Sequence, residues 1–133
     1  MLKETCIIFI IIIFVITLNT IAQKYTDKTF EAISADLEEL GNEFKTEEEK
    51  DKVDGEAMEE KLDIVKEKWE QRYKILAYYI EHDELEKVYT SIVALDGLLN
   101  LEEYGNAIAE LEKIKYTLEH IKEKYTFTLM NIF

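Results

Sequence analysis

Residues 5–22, TCIIFIIIIFVITLNTIA, decide the architecture of this chain. They carry no charge, and the stretch from Cys6 to Ile16 is an unbroken apolar run. As a helix, these 18 residues span about 27 Å, close to the ~30 Å hydrocarbon thickness of a bilayer. The rest of the chain is too short to surround such a segment on all sides. The stretch therefore predicts a transmembrane helix at residues 5–23, which attaches the protein to a bilayer.

The flanks of this stretch bear on its retention and orientation. Residues 1–4 form a short head, and such a head followed at once by an apolar core is typical of an export signal. We therefore expect a retained signal anchor in the cell membrane, single-pass, with the following domain outside the cell. The alternative is a signal peptide cleaved after Ala22, which would release a secreted protein. The lysines on the two flanks do not decide the orientation.

The composition excludes several classes of protein. The chain has 133 residues with 16 basic and 29 acidic side chains, a formal net charge of −13. Arg72 is the only arginine, and a nucleic-acid binder is excluded because phosphate backbones require clustered cations. The net negative charge also argues against binding to anionic lipids. A single cysteine, Cys6, rules out an internal disulfide.

From residue 24 onward, apolar residues recur with helical period in four stripes. The stripes are Phe30, Ile33, Leu37, Leu40 and Phe44; Met58, Leu62, Val65 and Trp69, continued by Ile75, Leu76 and Tyr79; Leu85, Val88, Ile92, Leu95 and Leu99; and Ala107, Leu111, Ile114, Leu118 and Ile121. They predict an all-α domain at residues 24–124, an antiparallel four-helix bundle. Matching spacings in alternate stripes allow a second reading, two stacked αα-hairpins.

Turn and capping residues predict where these helices begin and end. No proline or glycine separates Ile21 from Phe30, so the first helix of the domain can continue from the span. Gly41-Asn42 predicts that this helix stops soon afterwards. The predicted starts of the next three helices are Thr46 with Glu49 or Asp54, then Asp83 with Glu86, then Asn106. Residues 125–133, which begin by alternating apolar and polar side chains, predict an extended tail laid on the domain.

The chain contains no catalytic motif that we recognise. It has no glycine-rich phosphate loop, no His-Glu-x-x-His and no Gly-x-Ser-x-Gly. We therefore predict no enzyme activity, no catalytic or cofactor-binding residue, no cofactor and no metal ligand. The aromatic residues exceed what one core needs, and tyrosine suits protein interfaces. The predicted interaction surface comprises Tyr73, Tyr78, Tyr79, His82, Tyr116, His120, Phe127 and Phe133.

Two functional hypotheses follow. The first is a membrane-anchored, non-catalytic helical interaction module, an accessory partner of a larger membrane protein. A homo-oligomer is a further possibility. The second is a cation- or metal-responsive envelope protein that uses His82, His120 and the acidic stretch 47–60. A calcium-hand loop is excluded, because the position five residues before Gly55 is Lys50 instead of an acid.

Several short motifs resemble one family. These are the apolar span, a tryptophan late in the second helix, Glu81-His82-Asp83-Glu84-Leu85, Ala107-Ile108-Ala109-Glu110-Leu111 and the ending Asn131-Ile132-Phe133. Together they resemble the domain of unknown function family 4363, small single-span helical proteins of Gram-positive anaerobic bacteria. The family has no established activity, so the resemblance implies location and architecture only. The chain departs from it in the acidic stretch near Gly55 and in Tyr78-Tyr79.

Overall fold

The chain is α-helical throughout the part that the structure, a computed structural model, describes. That part is residues 1–48 and 54–130, without the side chains of residues 46–48 and 127–130. The four helices are α1 (Leu2–Glu48), α2 (Gly55–Leu76), α3 (His82–Asn100) and α4 (Tyr104–Met130). The all-α prediction is confirmed for these ranges, which contain no strand.

The predicted stripes meet in a single hydrophobic core. Every residue of the first, third and fourth stripes is buried, as are the first four of the second. Among the residues that continue the second stripe, Leu76 is fully buried and Tyr79 is half-buried, whereas Ile75 is 45 % exposed. The stripe therefore continues from Trp69 through half-buried Tyr73 to Leu76, at the period of the buried helix face.

Each helix packs against two of the other three. Helix α1 contacts α2 and α4, and α3 contacts the same two helices. Late residues of α4 lie beside the middle of α1, since Gln23 Nε2 is 3.4 Å from Thr126 Oγ1. At the other end, the rings of Phe44 and Tyr104 are 6.0 Å apart. The turn between α2 and α3 and the last turns of α4 therefore lie beside the point where the apolar stretch of α1 ends.

Helix α1 passes without interruption from the apolar stretch into the core. The expected continuity across residues 21–30 is confirmed. The expected end near Gly41-Asn42 is wrong, because the helix runs on to Glu48. Leu40 and Phe44, on either side of this pair, are buried in the core, and their burial holds the helix together across the glycine.

Of the three predicted helix starts, one agrees with the structure. Asp54 caps α2, and its Oδ1 accepts a hydrogen bond of 3.2 Å from Ala57 N. The alternative start at Thr46 is wrong because Thr46 lies inside α1, and Glu49 lies outside the described residues. Helices α3 and α4 each begin earlier than predicted, at His82 and Tyr104, so Asp83 and Asn106 lie in first turns.

The predicted extended tail is wrong for residues 125–130, which continue α4 to Met130. No glycine or proline follows Gly105, so nothing in the local sequence ends the helix. Tertiary contacts also hold its last turns, since Tyr125 Oη accepts a 2.6 Å hydrogen bond from Glu81 N. Residues 131–133 lie outside the described part of the chain.

Candidate functional site

The first half of α1 is exposed although it is apolar. Helix α1 contains a window long and apolar enough to cross a membrane, and none of that window is buried within the protein. Side chains such as Ile10 and Phe14 are exposed, so the rest of the protein does not cover them. This half is long and apolar enough to cross a membrane, a property that an N-terminal signal sequence shares.

A small pocket of about 170 Å³ lies where α1 leaves the apolar stretch. We call it the membrane-proximal pocket; it is lined by Asn19, Ala22, Gln23, Thr26, Asp27, Tyr79, Lys122, Tyr125 and Thr126. Three elements therefore form it: α1, the α2–α3 turn and the end of α4. Their meeting explains why residues far apart in the sequence share one site.

Tyr79 closes the membrane-proximal pocket by bonding to α1. Its hydroxyl lies 2.8 Å from Thr26 Oγ1 and donates a 3.2 Å hydrogen bond to the carbonyl oxygen of Ala22. Thr26 Oγ1 donates to the same carbonyl at 3.0 Å. Burial raises the pKa of the Tyr79 hydroxyl above its ordinary 10.0. This contact joins the α2–α3 turn to the end of the apolar stretch.

A larger groove of about 670 Å³ runs between α2 and α3. We call it the α2–α3 groove; it is lined by Trp69, Glu70, Gln71, Tyr73, Lys74, Glu86 and Tyr89. Trp69 is buried beneath it, and its indole Nε1 has no hydrogen-bond partner among the described residues. Aromatic walls with charged rims are the composition of protein-binding surfaces.

One of the predicted surface residues, Tyr73, lines this groove and contacts a second one, His82. The rings of Tyr73 and His82 lie 5.7 Å apart, across α2 and α3. Tyr79, by contrast, is half-buried in the membrane-proximal pocket and is a structural contact. Tyr78 beside it is 88 % exposed in the turn.

The remaining predicted surface residues lie on α4 or beyond the described side chains. Tyr116 is 74 % exposed, and its ring stacks on that of His120 at 6.3 Å. Both belong to α4 and lie one helical turn apart. The Phe127 side chain and the whole of Phe133 lie outside the described residues.

The two histidines of the metal-responsive hypothesis lie in different helices. His82 begins α3, whereas His120 lies inside α4, ten residues before its end. Among the described side chains, no group of three or more histidine, cysteine, aspartate or glutamate residues could hold a metal ion. Residues 49–53 of the acidic stretch lie outside the described part of the chain.

Sequence reasoning missed Thr26 and Tyr89. Thr26 belongs to none of the predicted stripes because it is polar, yet it is buried and bonds Tyr79. Its spacing of four residues from Phe30, on the same helical face, was the available signal. Tyr89 lies one position from the buried Val88, and only the packing of α2 shows that it borders a groove.

The comparisons with known proteins identify the family. Residues 18–132 match the model of a family described as "Domain of unknown function (DUF4363)". Neither the curated proteins nor the solved structures contain a match to the chain. The matched range begins within the apolar stretch and covers α1 from residue 18 onward together with the whole of α2, α3 and α4. The chain therefore belongs to the DUF4363 family.

Proposed function

We propose that this protein is a membrane-anchored, non-catalytic helical interaction module, an accessory partner of a larger membrane protein. One observation carries the proposal: a single helix, α1, is exposed and apolar in its first half and buried in the core in its second. Such a helix holds the domain against the bilayer without a flexible linker. The domain is outside the cell, and the span is a retained signal anchor.

Within the domain, the contacts support an antiparallel four-helix bundle. Later residues of α2 meet earlier residues of α1: Lys61 pairs with Glu43, and Lys68 with Asp36. The same reversed order relates α2 and α3, since Lys66 pairs with Asp96 at 2.8 Å near one end. Tyr73 and His82 meet near the other. Neighbouring helices joined by short turns pack in this way.

The α2–α3 groove is the partner surface that we propose. It combines a volume of about 670 Å³ with the rings of Tyr73 and Tyr89 and charged residues of both signs. Aromatic side chains are enriched at such contacts because they present large, rigid, amphipathic areas. A helix or loop of a membrane protein beside the anchor could reach the groove.

The first experiment tests the anchor with the full chain expressed in a bacterial membrane. We expect the protein to remain in the membrane after carbonate extraction and to retain a tag placed before Met1. External protease should digest the domain in intact cells if it lies outside. A tag lost by cleavage after Ala22 would contradict the retained anchor.

The second experiment tests the groove by photo-crosslinking in the same membrane. A photoreactive residue replaces Tyr89 in the groove, and a matched variant carries it at Glu112 on α4, whose side chain is 59 % exposed. We expect one abundant membrane protein to crosslink from position 89 and not from position 112. Crosslinks from neither site, or equally from both, would count against the groove as the partner surface.

A further inference from the structure

The cations of this acidic chain are not distributed evenly. Most lysines of the described residues pair with a carboxylate, as Lys61 does with Glu39 and Lys66 with Asp96. No described carboxylate forms an ion pair with Lys24, Lys28 or Arg72. Lys24 and Lys28 lie one turn apart on α1, and Arg72 of α2 contacts Tyr25 between them, so the three cations form one basic surface.

These cations border a groove of about 500 Å³ between α1 and α2. We call it the cationic groove; Tyr25, Lys28, Lys68, Gln71 and Arg72 line it. Lys24, one helical turn before Lys28, extends the positive surface toward the apolar stretch. Lys68 is already paired with Asp36, so the groove is most positive at the end nearer the anchor.

Tyr25 orders the guanidinium of Arg72. Arg72 Nη1 donates a 3.1 Å hydrogen bond to Tyr25 Oη, and its Cζ lies 5.3 Å from the centre of the tyrosine ring. Only one of the five guanidinium donors is used by this bond. The remaining donors can take two oxygens of one phosphate, and the held side chain loses less entropy on binding.

The height of the groove matches the headgroup layer of the bilayer. A helix rises 1.5 Å per residue, so Tyr25 lies about 3 Å and Lys28 about 7.5 Å beyond Gln23. Each headgroup layer is roughly 5–7 Å thick. Arg72 bonds to Tyr25 and so lies at the same level.

The net charge of −13 opposes any anionic ligand, but mainly at long range. At physiological ionic strength, exposed charges farther apart than about 8 Å are largely screened. The nearest groups decide the local potential, and in the cationic groove those are Lys28 and Arg72. The chain-wide charge therefore does not exclude a local site.

We infer that the cationic groove binds the phosphate of an anionic phospholipid headgroup from the bilayer that holds α1. Arg72 takes two phosphate oxygens, Lys28 supplies a second positive charge, and Tyr25 positions the guanidinium. The lipid is the source because only a headgroup is delivered at this height by the anchor itself. The inference rests on the proposed membrane anchor.

The test measures thermal unfolding of the full chain in neutral detergent while phosphatidylglycerol is added. We expect the melting temperature to rise with phosphatidylglycerol and not with phosphatidylcholine, because a ligand bound to the folded state stabilises it. In Arg72→Gln, the lipid concentration that gives half of the rise in melting temperature should be about fivefold higher. One cation contributes about that much affinity at an anionic surface. Arg72→Lys, which keeps the charge, should recover part of that loss.

Lys74→Gln is the matched control, since Lys74 is an exposed cation of the same helix that lines the α2–α3 groove instead. Equal losses in Lys74→Gln and Arg72→Gln would overturn the site, because general attraction would explain both. A rise of the same size with inorganic phosphate would overturn the assignment to lipid. Flotation with vesicles separates the two proposals: a chain that fails to float refutes the anchor. One that floats without an Arg72 effect refutes only the groove.

Discussion

At the residue scale, Gly41 lies where α1 faces α4. It lies inside α1, and a methyl group added there would be 3.5 Å from Leu111 Cδ2, an ordinary contact distance. Glycine inside a helix costs roughly 0.5–1 kcal/mol relative to alanine. We expect Gly41→Ala to raise the free energy of unfolding by about that amount, measured by denaturant titration.

Gly97→Ala is the matched control for Gly41→Ala, because a methyl group at Gly97 in α3 would meet nothing within 4 Å. Both variants remove the same backbone entropy, so the gain should be similar. A gain at Gly97 together with a loss at Gly41 would show that the helices cannot accept the extra methyl group.

Glu84 makes the stability depend on pH. Its buried carboxylate accepts hydrogen bonds from Lys124 at 3.2 Å and Lys87 at 3.3 Å. The bond from Lys124 is the main cause that lowers the pKa of Glu84 below its ordinary 4.5. A lowered pKa in the folded state stabilises it above the ordinary pKa, and that stabilisation is lost as the pH falls through the folded value.

Glu84→Gln should therefore destabilise the domain at pH 7 by about 1 kcal/mol, the usual weight of a charged hydrogen bond made near the surface. The difference from the unchanged protein should shrink below pH 4.5 and vanish in stronger acid. Glu123→Gln, an exposed acid on α4, is the control and should show no such pH dependence. A constant difference at all pH values would contradict the role of Glu84 ionisation.

At the scale of the element, the two halves of α1 differ in burial. Leu37 is fully buried, whereas Leu18 in the same helix is 50 % exposed. Leu37→Ala should lower the free energy of unfolding by about 3 kcal/mol, because it removes buried methyl groups and leaves a cavity. Leu18→Ala, the same substitution in the apolar half, should leave domain unfolding unchanged. Denaturant titration in neutral detergent measures both, and similar losses would show that the halves are one packed unit.

The junction within α1 determines how rigidly the proposed membrane span is joined to the domain. No glycine or proline lies between Ile21 and Phe30, and Tyr79 bonds to Thr26 and the Ala22 carbonyl at this junction. A helical segment that contains no glycine or proline and is hydrogen-bonded to a neighbouring turn resists bending. The geometry of the cationic groove relative to the bilayer depends on this rigidity.

At the scale of the whole molecule, charge repulsion opposes the ion pairs. The formal net charge of −13 destabilises the compact state, whereas exposed ion pairs contribute only about 0–1 kcal/mol each. Salt weakens both, but the repulsion acts at longer range. We therefore expect the melting temperature to rise when NaCl is raised from about 0.01 M to about 0.15 M, as the screening length falls from roughly 30 Å to 8 Å.

The same experiment tests the metal-responsive alternative. At equal ionic strength, we expect CaCl₂ or ZnCl₂ to stabilise the chain no more than screening by salt does. A larger rise with either metal, lost in a variant with His82 and His120 replaced by glutamine, would support the alternative. It would also weigh against the interaction module as the main function.

Local sequence determined the elements of this protein. The apolar run at residues 5–22 and the four stripes follow from periodicities within single helices, which the chain carries without reference to its neighbours. Asp54 was readable as a cap for the same reason, since its partner Ala57 is three residues away. The family resemblance, too, depends on short local motifs, and the match to residues 18–132 confirms it.

The tertiary structure decided everything that depends on which helices become neighbours. The bond from Glu81 to Tyr125 in α4, the bond from Tyr79 to α1 and the contact of Arg72 with Tyr25 join residues that are far apart in the sequence. Periodicity shows which face of a helix is buried but not which helix covers it. The cationic groove could not be predicted because net charge is a sum over the chain, whereas binding depends on the few charges within a screening length.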